Sequence, residues 1–292
     1  MYRYVIYGIG IESEVKLYHL EQCEVAEREV YIHYGTVSSE IEQYIQQGIN
    51  STMSPVRVWF RNDIGIFVIS NGNEILVQPV ERATEDDIAS FVLGWCIAFL
   101  FQQKGIPALH CSALEVDGKA ILIAGNSGAG KSTIALSLQK LGYRYLVDDI
   151  AMIDIKNDFL IQPAFPLQKV CRNIAEEVED SETLYYVNEK KDKFALRNMD
   201  NFCDEPRKLS TIFLLNKYDG AEVKMERLRG IVKWNAVMKN LFLRDAYMAL
   251  GVPQEEVDRC LEIAGKVEVY AISRPEGRDT VAEICRKILE VV

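Results

Sequence analysis

The stretch that decides the fold is GNSGAGKST, residues 125–133. It fits the pattern G-x-x-x-x-G-K-[ST], in which the first glycine is Gly125 and the lysine is Lys131. An apolar run of strand length, KAILIA, comes before it, and the helix-forming segment KSTIALSLQKLG continues from it. A strand, a glycine loop and a helix are the context that this pattern requires. The sequence therefore predicts a phosphate-binding loop rather than an ordinary glycine-rich turn.

Glycines let such a loop curl until successive main-chain N–H groups converge on phosphate oxygens at the start of a helix. The lysine can then reach the β- and γ-phosphates, and the hydroxyl of Ser132 is a predicted Mg²⁺ ligand, with Thr133 as a stand-in. Ser127 is placed to contact the transferring phosphate. The sequence thus predicts a site for ATP or GTP with Mg²⁺, formed by Gly125, Asn126, Ser127, Gly128, Ala129, Gly130, Lys131, Ser132 and Thr133.

Two adjacent carboxylates, Asp148 and Asp149, follow the predicted strand YRYLV, 17 and 18 residues after Lys131. That spacing corresponds to one helix, one turn and one strand. It suits a division of roles, in which one carboxylate is an oxygen ligand near Mg²⁺ and the other is a base for an attacking hydroxyl. The alternative is that one of the two caps a turn.

The strand before the loop follows a hairpin signal, Asp117-Gly118, which stands between two apolar runs. That strand is therefore expected to run antiparallel to its predecessor, whereas most phosphate-loop NTPases have an all-parallel sheet. The first 80 or so residues alternate polar and apolar side chains as strands do. We predict an α/β protein with a small β-rich N-terminal domain (1–83), a connecting helix that begins with a capping box at Thr84 (84–104), and a phosphate-loop domain with a mixed sheet (105–292).

The composition excludes several classes of protein. A net charge of -10 argues against nucleic acid as the main partner, because nucleic-acid binding requires clustered Lys and Arg. The longest apolar run, residues 88–101, falls short of the roughly 20 residues that span a bilayer, so we expect a buried helix and no membrane association. The N-terminus lacks the features of a signal peptide, and the seven cysteines have no zinc-type spacing. We therefore expect a cytoplasmic protein with reduced thiols.

The segment LHCSALEVDGKAILIAGNSGAGKSTIALSLQKLGYRYLVDDIAMID, residues 109–154, resembles the nucleotide-binding core of the HPr serine kinase/phosphorylase family. The fold of that family is related to phosphoenolpyruvate carboxykinase. The similar features are the His of LHCS, fifteen residues before the first loop glycine, the DG hairpin, the loop with a serine two residues after that glycine, and the DD pair. More widely, the chain looks like the HPr-kinase-like proteins of peptide-modification clusters, including lasso-peptide precursor kinases.

The resemblance implies a role for each matched residue. It makes Asp148 the catalytic base, Asp149 and Ser132 the magnesium ligands, Lys131 the phosphate clamp, and His110 a catalytic-site residue close to the first aspartate. The segment with which HPr kinases recognise HPr has no counterpart after the DD pair. The resemblance therefore does not extend to HPr as the substrate or to the reverse phosphorylase activity.

The acceptor side is predicted at residues 165–199. Lys169 and Arg172 lie on the helix-like segment PLQKVCRNIAEEV, after the rigid turn PAFP, and Arg197 ends the basic run EKKDKFALR. These cations can stabilise charge on the γ-phosphoryl oxygens or hold an acidic acceptor. The alternative is that the basic run is a solvated face.

The sequence thus favours an ATP-dependent kinase that phosphorylates a Ser or Thr hydroxyl of a peptide or protein. Three alternatives stay open at this point: a small-molecule kinase, a nucleotide-binding regulatory module without an acceptor, and an NTPase in which Asp148 activates water. Two carboxylates disfavour the regulatory module, because binding alone needs only one near the metal. The oligomeric state is also open, a homo-oligomer included.

Overall fold

The computed structural model describes residues 1–17, 20–24, 27–171, 182–188, 193–197 and 199–292, with the main chain alone at 169–171, 182–188 and 193–197. The chain divides into two compact units, residues 1–108 with 243–257 and residues 109–242 with 258–292. The helical segment predicted as a connector falls in the first unit, and so does the later segment 243–257. The domain boundaries proposed from the sequence stay a prediction.

The first unit is built on a sheet of seven strands, which confirms the predicted β-rich N-terminal region. The strands are β1 (Tyr2–Ile6), β2 (Ile9–Ser13), β3 (Val30–Tyr34), β4 (Ser51–Met53), β5 (Arg57–Arg61), β6 (Gly65–Ser70) and β7 (Glu74–Pro79). Their order is β1-β2-β3-β7-β6-β5-β4. The pairs β2–β3 and β3–β7 are parallel, and the other neighbours are antiparallel. The hairpin between β6 and β7 turns at Asn71-Gly72, where both residues have a positive φ, as a tight hairpin turn requires.

Helical segments from residues 39–103 accompany this sheet. They are α1 (Ser39–Gln46), α2 (Glu85–Phe91), a π-helical turn (Val92–Cys96) and α3 (Ile97–Gln103). The predicted capping box is present, since the hydroxyl of Thr84 accepts a hydrogen bond from the N–H of Asp87 at 3.1 Å. The predicted buried helix is also present, because the apolar side chains of α3 are almost wholly inaccessible to solvent. The π-helical turn, which adds a residue to one turn of the helix, was not predicted.

The second unit contains a larger mixed sheet and a small antiparallel one. The larger sheet has β8 (Ala108–Val116), β9 (Lys119–Gly125), β10 (Tyr145–Val147), β11 (Ile150–Asp154), β12 (Leu160–Ile161), β16 (Arg207–Tyr218), β17 (Lys224–Arg227) and β18 (Glu268–Pro275). The small sheet has β13 (Leu167–Cys171), β14 (Glu182–Asn188) and β15 (Lys193–Arg197), in the order β13-β15-β14. The strand β9 is antiparallel to β8 and parallel to β16, which confirms the predicted mixed sheet.

Five further helices follow the phosphate loop along the described chain: α4 (Lys131–Lys140), α5 (Gly230–Lys239), α6 (Arg244–Leu250), α7 (Gln254–Lys266) and α8 (Val281–Leu289). No helix among the described residues combines the length and the apolar character that crossing a membrane would need.

Two helix predictions are wrong in part. Residues 167–171 of the segment PLQKVCRNIAEEV, predicted as helix-like, form β13, because pairing with β15 overrides a weak local preference. Residues 172–178 of that segment lie outside the described residues. The apolar pattern of residues 231–251 predicts one amphipathic helix that ends at Gly251, but the segment is broken into α5 and α6. At the break, the amide of Asn240 donates to a carbonyl of its own helix, and the buried Leu241 forms an isolated β-bridge with Leu109. A long-range contact therefore ends the helix where the sequence pattern would continue it.

The core of the second unit holds the helix that follows the loop. Buried side chains of α4, among them Ile134 and Leu138, pack in one cluster with Ile121 and Ile123 of β9 and Phe213 of β16. Burial of each such side chain contributes about 1.5–3 kcal/mol. The strand before the loop and the helix after it are thus fixed to the same core, and the loop between them has defined ends.

Candidate active site

The loop between β9 and α4 has three positions with a backbone conformation that favours glycine. Gly125, Gly128 and Gly130 have φ values of 142°, 78° and 106°, in the left-handed range that favours glycine. A Cβ atom at Gly125 would lie 2.4 Å from the carbonyl oxygen of Leu215 on the neighbouring β16. The helix α4 begins directly after Gly130 without a side-chain cap, and the N–H groups at the start of a helix favour an anion.

The side chain of Lys131 is hydrogen-bonded to the start of the loop. Its ammonium group donates to the carbonyl of Gly125 at 2.8 Å and to that of Asn126 at 3.4 Å. These bonds hold the positive charge beside the loop, at the end of the helix where the dipole is also positive. The residues at the tip of the loop, 126–128, are exposed, whereas Ala129 is buried.

The two aspartates stand between β10 and β11 and are held differently. Oδ1 of Asp148 accepts a hydrogen bond from the hydroxyl of Ser112 at 2.9 Å. Asp149 has a φ of 84°, and its carbonyl accepts from the N–H of Cys111 at 3.1 Å. A non-glycine residue in this conformation is uncommon and is tolerated best by Asn and Asp. Asp148 and Asp149 therefore form a kink between β10 and β11 and do not continue a regular strand.

His110 is associated with the second aspartate. Its Nδ1 lies 3.8 Å from Oδ1 of Asp149, within the range of an ion pair when the imidazole is protonated. The imidazole ring stacks nearly parallel on Phe242, with 6.1 Å between centroids. The main-chain N–H of His110 donates to the carbonyl of Asn240. The sequence identified His110 but not Asn240 or Phe242, which follow the C-terminal end of α5. The catalytic role that the resemblance gives His110 stays a prediction.

The buried Cys111 locates these charges relative to the loop. It pairs with Ala124, the residue before Gly125, in the β8–β9 register. Burial raises the pKa of its thiol to about 12; a hydrogen bond with the main chain of Ala151 and the charge of Lys131 oppose this rise, and the aspartate charges add to it. The lysine and both carboxylates are therefore near enough to one β8 residue to act on it electrostatically. Sequence analysis did not identify Ser112, the next residue, as part of the site, although it stands two residues after His110 on the same face of the strand.

A second cation lies against the loop. Nη1 of Arg274, near the end of β18, donates to the carbonyl of Ala129 at 3.2 Å, and it is 2.7 Å from where a Cβ atom of Gly130 would lie. Its Nε is buried and has no hydrogen-bond partner among the described residues. The structure brings Arg274 to the part of the loop that the glycine pattern assigns to phosphate.

The predicted metal ligands are Ser132, the second residue of α4, and Asp149. Within the described part of the chain, no three His, Cys, Asp or Glu residues form a group that could hold a metal ion. The assignment of Ser132 and Asp149 stays a prediction.

The predicted acceptor residues lie on the small sheet. Lys169 is on β13 and Arg197 on β15, and Arg197 pairs with Leu167, two residues before Lys169. Arg172 lies outside the described residues. The register thus puts Lys169 and Arg197 on adjacent strands, and their role in binding an acceptor remains to be tested.

No protein-family model matches the chain. Among curated proteins, the HPr kinase/phosphorylase of Lactobacillus gasseri is 31% identical over 119 residues, which are 38% of this chain and 37% of the relative. That of Lachnoclostridium phytofermentans is 36% identical over 107 residues, 34% of this chain and 33% of the relative. That of Clostridium perfringens is 28% identical over 181 residues, 51% of this chain and 58% of the relative.

These matches confirm the predicted similarity to the HPr kinase/phosphorylase family. The matched segments span between 33% and 58% of the length of these relatives. Among solved structures, the chain is similar to the HPr(Ser) kinase/phosphatase from Coxiella burnetii, with 14% identity and a TM-score of 0.32 over 63% of this chain and 88% of that one.

Proposed function

We propose that this chain is an ATP-dependent kinase of the HPr-kinase type that transfers the γ-phosphoryl group to a Ser or Thr hydroxyl of a peptide or protein. The observation that carries the proposal is that the glycine loop and the two aspartates are both joined to the strand β8. Asp148 and Asp149 bond to Ser112 and Cys111 of β8, and Cys111 is paired with the residue before the phosphate loop. A phosphate cradle with a carboxylate beside it is what hydroxyl phosphorylation requires.

The loop fits a nucleoside triphosphate in conformation and in charge. A Cβ atom at Gly125 would meet the carbonyl of Leu215, and one at Gly130 would meet the guanidinium of Arg274, so both positions require glycine. The ammonium of Lys131 and the guanidinium of Arg274 both contact the loop. The buried Nε of Arg274, without a partner among the described residues, is a donor that a phosphate oxygen would satisfy. Ser132 and Asp149 offer the oxygen ligands that Mg²⁺ prefers. A bound Mg²⁺ would supply charge neutralisation at the phosphates.

In this mechanism Asp148 takes the proton of the acceptor hydroxyl, whose oxygen forms the new P–O bond while the bond to the leaving nucleoside diphosphate breaks. The hydroxyl of Ser112 donates to one oxygen of Asp148 and so orients the carboxylate. Lys131 and Arg274 hold the phosphate oxygens on which negative charge is distributed. His110 orients Asp149 through the contact between its Nδ1 and the carboxylate.

The acceptor is proposed to be a peptide that binds along residues 163–172, with Lys169, Arg172 and Arg197 as its contacts. This part of the proposal rests on charge and on the resemblance to lasso-peptide precursor kinases. Lys169→Ala and Arg172→Ala are then expected to raise KM for the acceptor with little change in the affinity for ATP.

The experiment is to incubate the chain with γ-labelled ATP, Mg²⁺ and fractionated cell extract, and to ask which species takes up label. Label in a peptide or protein that disappears with Asp148→Asn supports the proposal. Label in a small metabolite indicates a small-molecule kinase. Label in free phosphate alone would contradict the kinase function in favour of an NTPase, and nucleotide binding without release of any label would indicate a regulatory module.

A further inference from the structure

The first unit contains a pocket of about 280 Å³ on one face of its sheet, here called the aromatic pocket. Its walls include Phe60 of β5, Phe91 of α2, and Trp95 and Phe99 from the helical segment that follows. Phe60 lies 5.6 Å from Phe91 and 5.8 Å from Phe99 between ring centroids, and Trp95 lies 6.2 Å from Phe99. Ligand pockets begin at about 300 Å³, so the aromatic pocket has room for one bulky apolar group rather than a large ligand.

The π-helical turn places Trp95 in this wall. Residues 92–96 form the turn between α2 and α3, and the helix on either side is regular. An inserted π-turn interrupts the regular hydrogen bonding of a helix, and such turns occur frequently at functional sites. The remaining wall is the short helix α6, whose small side chains Ala246 and Ala249 leave the space open.

Two residues of the pocket wall carry a buried donor without a partner among the described residues, Nε1 of Trp59 and Nδ2 of Asn62. Asn62 lies in the pocket wall just after β5, and its Oδ1 accepts hydrogen bonds from the N–H groups of Ile64 and Gly65 at 2.9 and 3.0 Å. Its Nδ2 is buried and has no partner among the described residues. The two bonds to Oδ1 determine which end of the amide is the acceptor, so Nδ2 is held as a donor. A ligand that brings a carbonyl oxygen would satisfy it.

The pocket also adjoins the end of the sheet. Ser51 of β4 lines it and is paired across the sheet with Phe60, so the two side chains share one face. The strand β4 is the last in the sheet order, and no described strand pairs with its outer edge. An extended peptide can add to such an edge, and its alternate side chains then lie on the face that carries the pocket.

We propose that the aromatic pocket binds a peptide in extended conformation. One bulky apolar side chain, of the size of Leu or Phe, fills the space between the rings, and a carbonyl of the same peptide accepts a hydrogen bond from Nδ2 of Asn62. Asp245 at the rim of the pocket is exposed and favours a peptide N–H or a basic side chain beside the apolar one. This proposal concerns binding and does not depend on phosphoryl transfer.

The test uses blocked peptides without hydroxyl groups, Ac-Gln-Gln-X-Gln-Gln-amide, in which X is Phe, Leu or Ala. The full chain carries 5-fluorotryptophan at its three tryptophans, and Trp95→Phe assigns the ¹⁹F resonance of Trp95. Peptides with Phe or Leu are expected to shift that resonance saturably, with a Kd at least about tenfold lower than the Ala peptide, because the larger side chains bury more apolar surface. Equal binding of all three peptides would overturn the proposal.

Two pairs of variants locate the effect. Ala249→Phe fills the pocket and is expected to abolish the shift, whereas Met248→Phe, on the same helix at a side chain that is 76% exposed and outside the pocket, is expected to leave it unchanged. Asn62→Asp keeps the acceptor for the two N–H groups but removes the donor, and it is expected to raise Kd about five- to tenfold. Undiminished binding by Ala249→Phe with a normal melting temperature, or by Asn62→Asp, would overturn the proposal.

Discussion

The phosphate loop and the aromatic pocket are built in opposite ways. The loop consists of nine consecutive residues, 125–133, whose glycines and adjoining helix create its shape locally. The pocket is assembled from three separate segments, around residues 51–62, 91–99 and 245–250. Local encoding produces a motif that can be found in a sequence, whereas a pocket made by packing leaves no pattern of its own. A site can therefore be as well formed as the loop and yet leave no signal along the chain.

The two regions also differ in the ligand chemistry that they offer. The loop presents main-chain N–H groups and two cations, which suit a phosphate chain. The pocket presents aromatic rings and one buried amide donor, which suit an apolar side chain next to a carbonyl. Substitutions in the loop region should therefore change nucleotide chemistry and leave the binding of the apolar peptide unchanged.

The largest effect is expected at Asp148. Asp148→Asn keeps the size of the side chain but removes the base, so phosphoryl transfer should fall by about two to four powers of ten while Mg-ATP still binds. Single-turnover assays with labelled ATP and the identified acceptor measure it. Ser112→Ala, which removes only the hydrogen bond to Asp148, should lower transfer about fivefold. Unchanged transfer by Asp148→Asn would break the assignment of chemistry to the loop region.

A large effect on stability is expected at one loop glycine and not at another. Gly125→Ala should lower the free energy of unfolding by about 2–4 kcal/mol, because the new Cβ atom meets the Leu215 carbonyl and φ is unfavourable. Gly128→Ala meets nothing within 4 Å and should cost about 1 kcal/mol through its φ alone. Urea unfolding measures both, and equal losses would show that Gly125 is not constrained by its neighbouring strand.

The next effect is on nucleotide affinity at Lys131. Lys131→Ala should raise Kd for Mg-ATP about 10- to 100-fold, since a charged hydrogen-bond donor to phosphate is lost. Lys140→Ala, at the far end of α4, is the matched control and should bind as the unmodified chain does. Calorimetry gives both affinities. Wild-type affinity for Lys131→Ala would contradict the phosphate-loop interpretation.

A smaller effect on nucleotide affinity tests the residue that only the structure brought to the loop. Arg274→Ala should raise Kd for Mg-ATP about tenfold, and Arg274→Lys should restore part of the loss because it keeps the charge without the planar group. Calorimetry at two salt concentrations measures the change. If Arg274→Ala lowered stability without changing affinity, Arg274 would be a structural support of Ala129 only.

The smallest expected effect is on the acid dependence of stability, which should differ between the first and the second unit. Burial alone would raise the pKa of the Glu115 carboxyl, but the hydrogen bond and charge of Arg144 and the charge of Arg207 lower it below its ordinary value of 4.5. The pair therefore stabilises the second unit above about pH 4.5, and this contribution, about 1 kcal/mol or less, is lost as the pH falls through the lowered pKa.

The ¹⁹F resonances of the fluorinated tryptophans report the stability of each unit as the pH is lowered, since Trp59 and Trp95 lie in the first unit and Trp234 in the second. Glu115→Gln should remove the acid-dependent part of the stability reported by Trp234 and leave that reported by Trp95 unchanged. An equal loss at both tryptophans would show that the units unfold together.

Short-range features of the fold were predicted correctly from the sequence. The Asp117-Gly118 hairpin, the Thr84 cap and the strand–loop–helix at residues 119–140 all depend on the conformational preferences of a few adjacent residues. The errors fell where distant contacts override those preferences. Residues 167–171 are a strand because β15 pairs with them, and the helix after residue 230 ends early because Leu241 bridges to β8.

The sequence by itself determined the strand–loop–helix at residues 119–140 and predicts a phosphate ligand for it, because glycine conformations, a helix start and a lysine at a set spacing are local properties. It also placed two carboxylates one helix and one strand further on. Only the tertiary structure decided that Ser112 bonds to Asp148, that Arg274 lies against the loop, and that rings from distant segments enclose the aromatic pocket. The physical reason is that these contacts depend on which strands and helices pack side by side, and chain spacing does not specify that.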